Sequence, residues 1–236
     1  MKLTDITLEI SRLMQAAAEL PRMPRVQLEF HSDLHPEQIQ STHRNFTKWH
    51  PRYRVIRNKT VGIALIDLRN FKTPEDYLDT VRKKDNAGYQ ARRASTRGYQ
   101  VRKIDRNRFI DDIHAINISS EIRQGRPMDD AYLVKETSFE DYPHYAYFGA
   151  TDKTDMLVGY CNLAMLGNFA ATERVIGNKN NDGAMYLLMT EIICNLIEQK
   201  TVNYLMYDSY LGAQPGLRNF KRKLGFSPYL VRYSLA

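Results

Sequence analysis

Asn203-Tyr-Leu-Met-Tyr-Asp-Ser-Tyr-Leu-Gly-Ala-Gln-Pro-Gly-Leu-Arg-Asn-Phe-Lys-Arg-Lys-Leu-Gly-Phe226 reads as a strand near whose end lies an acid, then a Gly/Pro turn, then a short helix closed by Leu-Gly-Phe. The strand is predicted over Tyr204 to Leu211 and the helix over Pro215 to Leu224. On that helix Leu217, Phe220 and Leu224 face inward, and Arg218, Arg222 and Lys223 face water. A strand end followed by a helix start is where α/β proteins collect chemistry, because helix-start N–H groups and inward side chains converge there. Packing does not account for Asp208 or Lys221, which makes them candidate functional residues.

Upstream, Met185, Leu188, Met189, Ile192, Ile193, Leu196 and Ile197 follow helical i, i+3, i+4 spacing without a miss. Before that helix lies a meander. Strands are predicted over Tyr145 to Gly149, Met156 to Leu166 and Phe169 to Ile176, the first two joined by a polar hairpin turn. Tyr229 to Leu235 closes the chain as a further strand.

The first half mixes both periods. Thr4 to Leu20 has helical spacing and is stopped by Pro21 and Pro24. Arg25 to Phe30 alternates as a strand, and Val61 to Leu68 is apolar enough to lie inside a sheet. Thr73 and Pro74 mark a helix start, with Gly88 as an interruption and Gly98 as a stop. Tyr99 to Ile104 is a short strand, and Asp105 caps a further helix. Arg123 to Met128 is read as a basic turn with no helix or strand continuation, either a plain loop or a ligand-contact loop. His31, His35, His43 and His50 do not make a metal motif: Pro36 disfavours a helix at His35, and no cysteine accompanies them.

The chain has 236 residues and a formal net charge of +7. Between Arg82 and Arg108 lie ten basic residues against two acids, a local excess greater than that of the whole chain. Arginine dominates there, which suits bidentate contacts to phosphate and attracts polyanions. No run of about 18 apolar residues exists, so no membrane span is expected, and Met1 to Leu20 lacks the pattern of a secretion leader. The two cysteines, Cys161 and Cys194, sit in apolar runs as core residues, not as a disulfide. A cytoplasmic protein is expected.

The order hairpin, strand, turn, amphipathic helix, strand, short helix, strand resembles the Gcn5-related acyltransferase fold. Gly216-Leu-Arg-Asn-Phe-Lys-Arg-Lys-Leu-Gly-Phe226, after a strand with an aspartate, is similar to the Fem family of aminoacyltransferases, and the basic stretch from Asp79 to Val101 looks like a Fem-type segment. The resemblance covers about residues 75 to 235. It implies an α/β fold with a mixed, largely antiparallel sheet flanked by helices, a single domain over 1–236, and residues 1–70 as an N-terminal extension of the same sheet. Coenzyme A users in the Gcn5-related group carry a Gln/Arg-x-x-Gly-x-Gly/Ala turn before the long helix. Here Asn178-Lys-Asn-Asn-Asp-Gly183 stands instead, with Asp182 an anion facing the would-be phosphate site.

The implied activity is aminoacyl transfer from aminoacyl-tRNA, as co-substrate in place of a bound cofactor, to the amine of a small molecule or peptide. Such a transfer needs a deprotonated amine, a stabilised carbonyl and a protonated leaving group. Asp208, on an inward strand face, is the expected base or orienter of the amine. Lys221 resembles the Fem lysine that contacts a phosphate-bearing substrate or stabilises developing charge, and Tyr210 is a proton donor to the leaving hydroxyl. Arg92, Arg93, Arg97, Arg123 and Arg126 are expected on tRNA phosphates. The alternatives are an N-acyltransferase using acyl-coenzyme A or an acidic acyl carrier protein, and a non-catalytic RNA-binding protein on a degenerate fold of this type.

Overall fold

The computed structural model describes residues 20–51, 54–83, 85–123, 126–178 and 182–236, with Arg123 and Arg126 described in backbone only. The helix expected over Thr4 to Leu20 lies outside them, except for a 3-10 turn at Leu20–Arg22. In chain order the elements are β1 (Arg25–Phe30), α1 (Pro36–Thr47), β2 (Val61–Asp67), α2 (Pro74–Val81), α3 (Ala87–Thr96) and β3 (Gln100–Lys103). Then come α4 (Ile110–Ile118), β4 (Ile122–Arg123), β5 (Arg126–Pro127), α5 (Asp130–Leu133), β6 (Tyr145–Thr151), β7 (Leu157–Met165) and β8 (Phe169–Gly177). The chain closes with α6 (Ala184–Gln199), β9 (Tyr204–Ser209), α7 (Pro215–Lys223) and β10 (Ser227–Leu235).

Eight strands form one mixed sheet in the order β1-β10-β2-β9-β8-β7-β6-β3. The β1–β10 and β8–β9 pairs are parallel and the rest antiparallel. Helices cover both faces of the sheet, and a bulge at Val158, between the Thr151–Leu157 and Ala150–Gly159 pairs, sets which side chains of β7 meet each. Leu157 and Tyr160 pack with Ile113 and Ile116 of α4. Val158 and Cys161 turn the other way, into the main core built on α6. Leu188, Ile192 and Ile193 of α6 are fully buried there, each contributing ~1.5–3 kcal/mol by leaving water.

Local chemistry sets the helix starts. Thr73 and Asp76 cap α2 reciprocally: the Asp76 amide donates to the Thr73 hydroxyl, and the Thr73 amide donates to the Asp76 carboxylate. His35 is extended at φ −170°, and α1 begins at Pro36 beyond it. Its ring lies 5.2 Å from that of His144 in a cluster with Tyr142.

Two expectations are corrected. The break between α2 and α3 falls ahead of Gly88, which is the second residue of α3. A Cβ there would come 3.0 Å from the Val81 carbonyl oxygen, so the glycine serves the close approach of two helices. Arg123 to Met128 is not a plain turn: β4 and β5 pair antiparallel as a small separate hairpin, Ile122 with Pro127 and Arg123 with Arg126.

Candidate active site

Strands β8 and β9 run parallel but pair only at Phe169–Tyr204, Ala170–Leu205 and Ala171–Met206. Beyond those three pairs they separate. Each is bulged on its outer side just past the split. Against β7, Thr172 pairs with Leu163 and Arg174 with Asn162, leaving Glu173 as the extra residue. Against β2, Met206 pairs with Leu65 and Ser209 with Ile63, so Tyr207 and Asp208 stand opposite Ala64 alone. A bulge bends its strand and increases twist, and two bulges flanking one split drive the strand ends apart. The resulting cleft of about 330 Å³ lies at the carboxyl ends of two parallel strands, where open α/β sheets bind ligands.

Asp208 does not sit in regular strand. Its φ of +50° is left-handed, a conformation aspartate tolerates better than most residues. The expected strict alternation with Tyr207 and Ser209 is therefore broken, and Tyr207 lines the cleft together with Asp208. The Asp208 carboxylate is ion-paired with Lys59, yet 55% of its side-chain surface stays open. Enclosure alone would push its carboxyl up. The Lys59 ammonium, reinforced by Lys221, overrides that and holds it below the usual carboxylate range. Lys59 is itself placed by Tyr233, whose hydroxyl donates to the Lys59 carbonyl at 2.6 Å.

Lys221, expected on the basic helix, is only 1% exposed. Its stem runs under α7, and its ammonium donates to the carbonyls of Tyr207 at 2.6 Å and Ser209 at 2.7 Å. Those two groups flank Asp208 in the bulged part of β9. Burial pushes the Lys221 ammonium down to about 8, against the opposing pull of Asp208.

Across the split, Glu173 is exposed to the cleft although β8 is a central strand, because the bulge turns it out of register. It accepts a hydrogen bond from the Tyr145 hydroxyl at 2.5 Å. Burial, then Glu173, raises the Tyr145 phenol above its ordinary value, so it remains a donor. The next residue, Arg174, lays its guanidinium 4.8 Å from the ring centre of Tyr132 on α5. That contact closes one side of the cleft with the segment following the β4–β5 hairpin, including Met128 and Asp129.

The structure thus brings Asp208 and Lys221 together and adds Lys59 and Glu173, which the sequence reading did not single out. The one available signal for Glu173 was an acid, beside Thr172 and Arg174, in the middle of a strand with apolar ends. Tyr210 packs against the main core and is not among the residues lining the cleft. Arg92, Arg93 and Arg97 lie on α3, which packs on α6. The backbones of Arg123 and Arg126 lie in the hairpin whose continuation walls the cleft, and their side chains fall outside the described residues. Asp182, expected to face a phosphate site, pairs with Arg97 at 3.0 Å. The start of α6 is crowded as well: a Cβ on Gly183 would lie 2.9 Å from the Gln90 carbonyl oxygen.

No family model and no curated protein matches the sequence. Solved structures do. FemX superposes with a TM-score of 0.54 at 9% identity over 78% of this chain and 62% of its own. L-PGS from Bacillus licheniformis gives 0.47 at 13% identity, covering 72% of this chain and 59% of that one. A tandem GNAT protein from the clavulanic acid biosynthesis pathway gives 0.47 at 14% identity, covering 72% and 50%. The chain therefore spans between half and 62% of the length of these neighbours. The chain shares its fold with FemX. Among the described residues, no helix is long and apolar enough to cross a membrane.

Proposed function

We propose that the chain is an N-acyltransferase that moves an aminoacyl group from aminoacyl-tRNA to the amine of a small molecule or peptide. The observation that carries this reading is the pair of carboxylates, Glu173 and Asp208, one on each bulged strand, lining a single cleft at the split of a parallel pair. The attacking amine forms a C–N bond to the ester carbonyl and passes its proton to Glu173. The C–O bond to the ribose breaks, and the leaving hydroxyl is protonated in turn. Asp208, held ionised by Lys59, orients the acceptor ammonium, which releases one proton to solvent to become the attacking amine; the proton that Glu173 then takes is the one returned to the leaving hydroxyl. Lys221 supports the floor of the cleft.

Two features favour an RNA-borne ester over coenzyme A. Crowding and the Asp182 carboxylate at the start of α6 leave little for a pyrophosphate to bind. Arg92 and Arg93 are exposed on α3 and suited to phosphates, and the resemblance to Fem-type transferases points to the same donor. A charged-tRNA donor places the reaction in the cytoplasm. The test supplies charged tRNA, acyl-coenzyme A or acyl carrier protein together with a pool of amines. Loss of aminoacyl-tRNA only when acceptor is present supports the proposal. Thiol release from either of the other donors, with tRNA untouched, replaces it.

A further inference from the structure

Lys48-Trp-His-Pro-Arg-Tyr-Arg-Val-Ile-Arg-Asn-Lys59 contains five Lys or Arg residues, no acid, and the only tryptophan of the chain. It connects α1 to β2 and folds back on itself. The His50 amide donates to the Ile56 carbonyl at 2.9 Å, the Asn58 amide to the Lys48 carbonyl at 2.8 Å, and Trp49 and Arg57 form an antiparallel bridge. Its base is fastened to the end of α1, the Lys59 amide donating to the Phe46 carbonyl and the Asn58 side chain to the Asn45 carbonyl, both at 2.9 Å. Nothing in this small hairpin buries Trp49: it is 55% exposed. The Arg57 guanidinium lies 3.9 Å from its ring centre and donates to the Thr47 carbonyl. An arginine and a tryptophan are thus held flat against each other at the surface, with Lys48 and Arg54 exposed beside them.

We propose that this hairpin is a stacking platform for single-stranded RNA, and that it delivers the unpaired, acyl-bearing 3′ end of the donor to the cleft. Exposed aromatic faces interleaved with cations are what sequence-tolerant single-strand binding requires: bases stack on the ring while lysine and arginine follow the phosphates. The fixed Arg57–Trp49 pair lowers the ordering cost of binding. Position supplies the second half of the argument. Lys59, two residues beyond Arg57, is the partner of Asp208, and both Phe46 and Lys59 line the cleft. A strand end stacked on Trp49 therefore lies at the entrance to the carboxylates. Among the described residues of this segment, Trp49 and Val55 are the large apolar side chains exposed, which is little for a membrane anchor and ample for a base platform.

The inference rests on the RNA-borne donor proposed above, and its test separates the two. Trp49, being the sole tryptophan, reports directly. The protein is titrated with an unpaired RNA of about ten nucleotides, a size one single-strand site accommodates, and with a duplex of the same length, following tryptophan emission for the wild type and the anisotropy of end-labelled RNA for the wild type and the variants, which carry no tryptophan. The expected result is quenching by the single strand, weaker binding of the duplex, and an affinity loss of about 5- to 150-fold in Trp49→Ala. Trp49→Phe retains most of the affinity because the stacking face remains. Equal binding of both RNAs with no effect of Trp49→Ala overturns the platform. So does an emission shift on phosphatidylglycerol vesicles with no response to RNA. If aminoacyl-tRNA is consumed equally by wild type and Trp49→Ala, the platform falls and the transfer reading stands. If Trp49→Ala loses RNA affinity but no donor is ever consumed, the platform stands and the transfer reading falls.

Discussion

The Lys221 ammonium brackets Asp208: it donates to the carbonyl of the residue before it and to that of the residue after it. A buried lysine thereby ties down the backbone on both sides of the bulged position and holds the left-handed aspartate in place without pairing with its carboxylate. Its closest relation to the chemistry is as a positioning residue.

Replacing Lys221 by methionine keeps the stem and removes both hydrogen bonds. Two carbonyls beside Asp208 then lose their charged donor, which outweighs the relief of removing a buried charge. We expect a loss of about 1–3 kcal/mol in stability at neutral pH, read from a urea midpoint, and a fall in activity that exceeds the loss of folded protein.

The same lysine makes a pH prediction. Burial lowers it from 10.5 to about 8. Between those values the unfolded chain holds a proton that the native chain has released. Stability from this group is therefore flat below about pH 8 and rises as pH climbs toward 10.5, by up to ~3 kcal/mol. The stability gap between wild type and Lys221→Met should widen over that window in chemical denaturation. A constant gap from pH 7 to 10 contradicts the assignment.

Gly62 is the backbone counterpart of the bulge. Its φ is +62°, its carbonyl accepts from the Tyr210 amide at 2.7 Å, and a Cβ would come 2.5 Å from the Leu211 side chain. Gly62→Ala should cost about 1–3 kcal/mol. Adding Leu211→Ala relieves the steric part and leaves the conformational part, so in thermal denaturation the double variant falls short of Leu211→Ala alone by a smaller margin than Gly62→Ala falls short of wild type.

What the sequence disclosed follows the range of the interactions involved. The strand over Arg25 to Phe30 and the start of α2 rest on alternation and on a Thr–Pro–Asp cap, all within a few residues, and both were legible. The β4–β5 hairpin was not, because two-residue strands have no period. The site was half legible. Asp208 stood out as an acid in an apolar and aromatic strand, and Lys221 by its resemblance to the Fem lysine. Their geometry depends on register shifts against β2, which no local pattern records. Glu173 and Lys59 matter only because β8 splits from β9 and Lys59 meets Asp208 across 149 positions of sequence.

The basic helix offers a further measurement. Arg92→Ala and Arg93→Ala should each reduce the slope of log affinity for tRNA against log salt by about one. Arg97→Ala should change it less, since its guanidinium already engages Asp182. Equal effects of all three in a filter-binding titration would mean that the Arg97–Asp182 pair opens on binding.

The central claim is that a carboxylate on each side of the β8–β9 split serves transfer from aminoacyl-tRNA. Single-turnover transfer of a labelled amino acid from charged tRNA to acceptor, compared among wild type, Glu173→Gln and Asp208→Asn, tests it most directly. Both substitutions are nearly isosteric, and asparagine tolerates the left-handed backbone at position 208. The account predicts a slowing of about 10²- to 10⁴-fold for Glu173→Gln, a smaller loss for Asp208→Asn, and unchanged tRNA affinity in both. Transfer at the wild-type rate in both variants contradicts it.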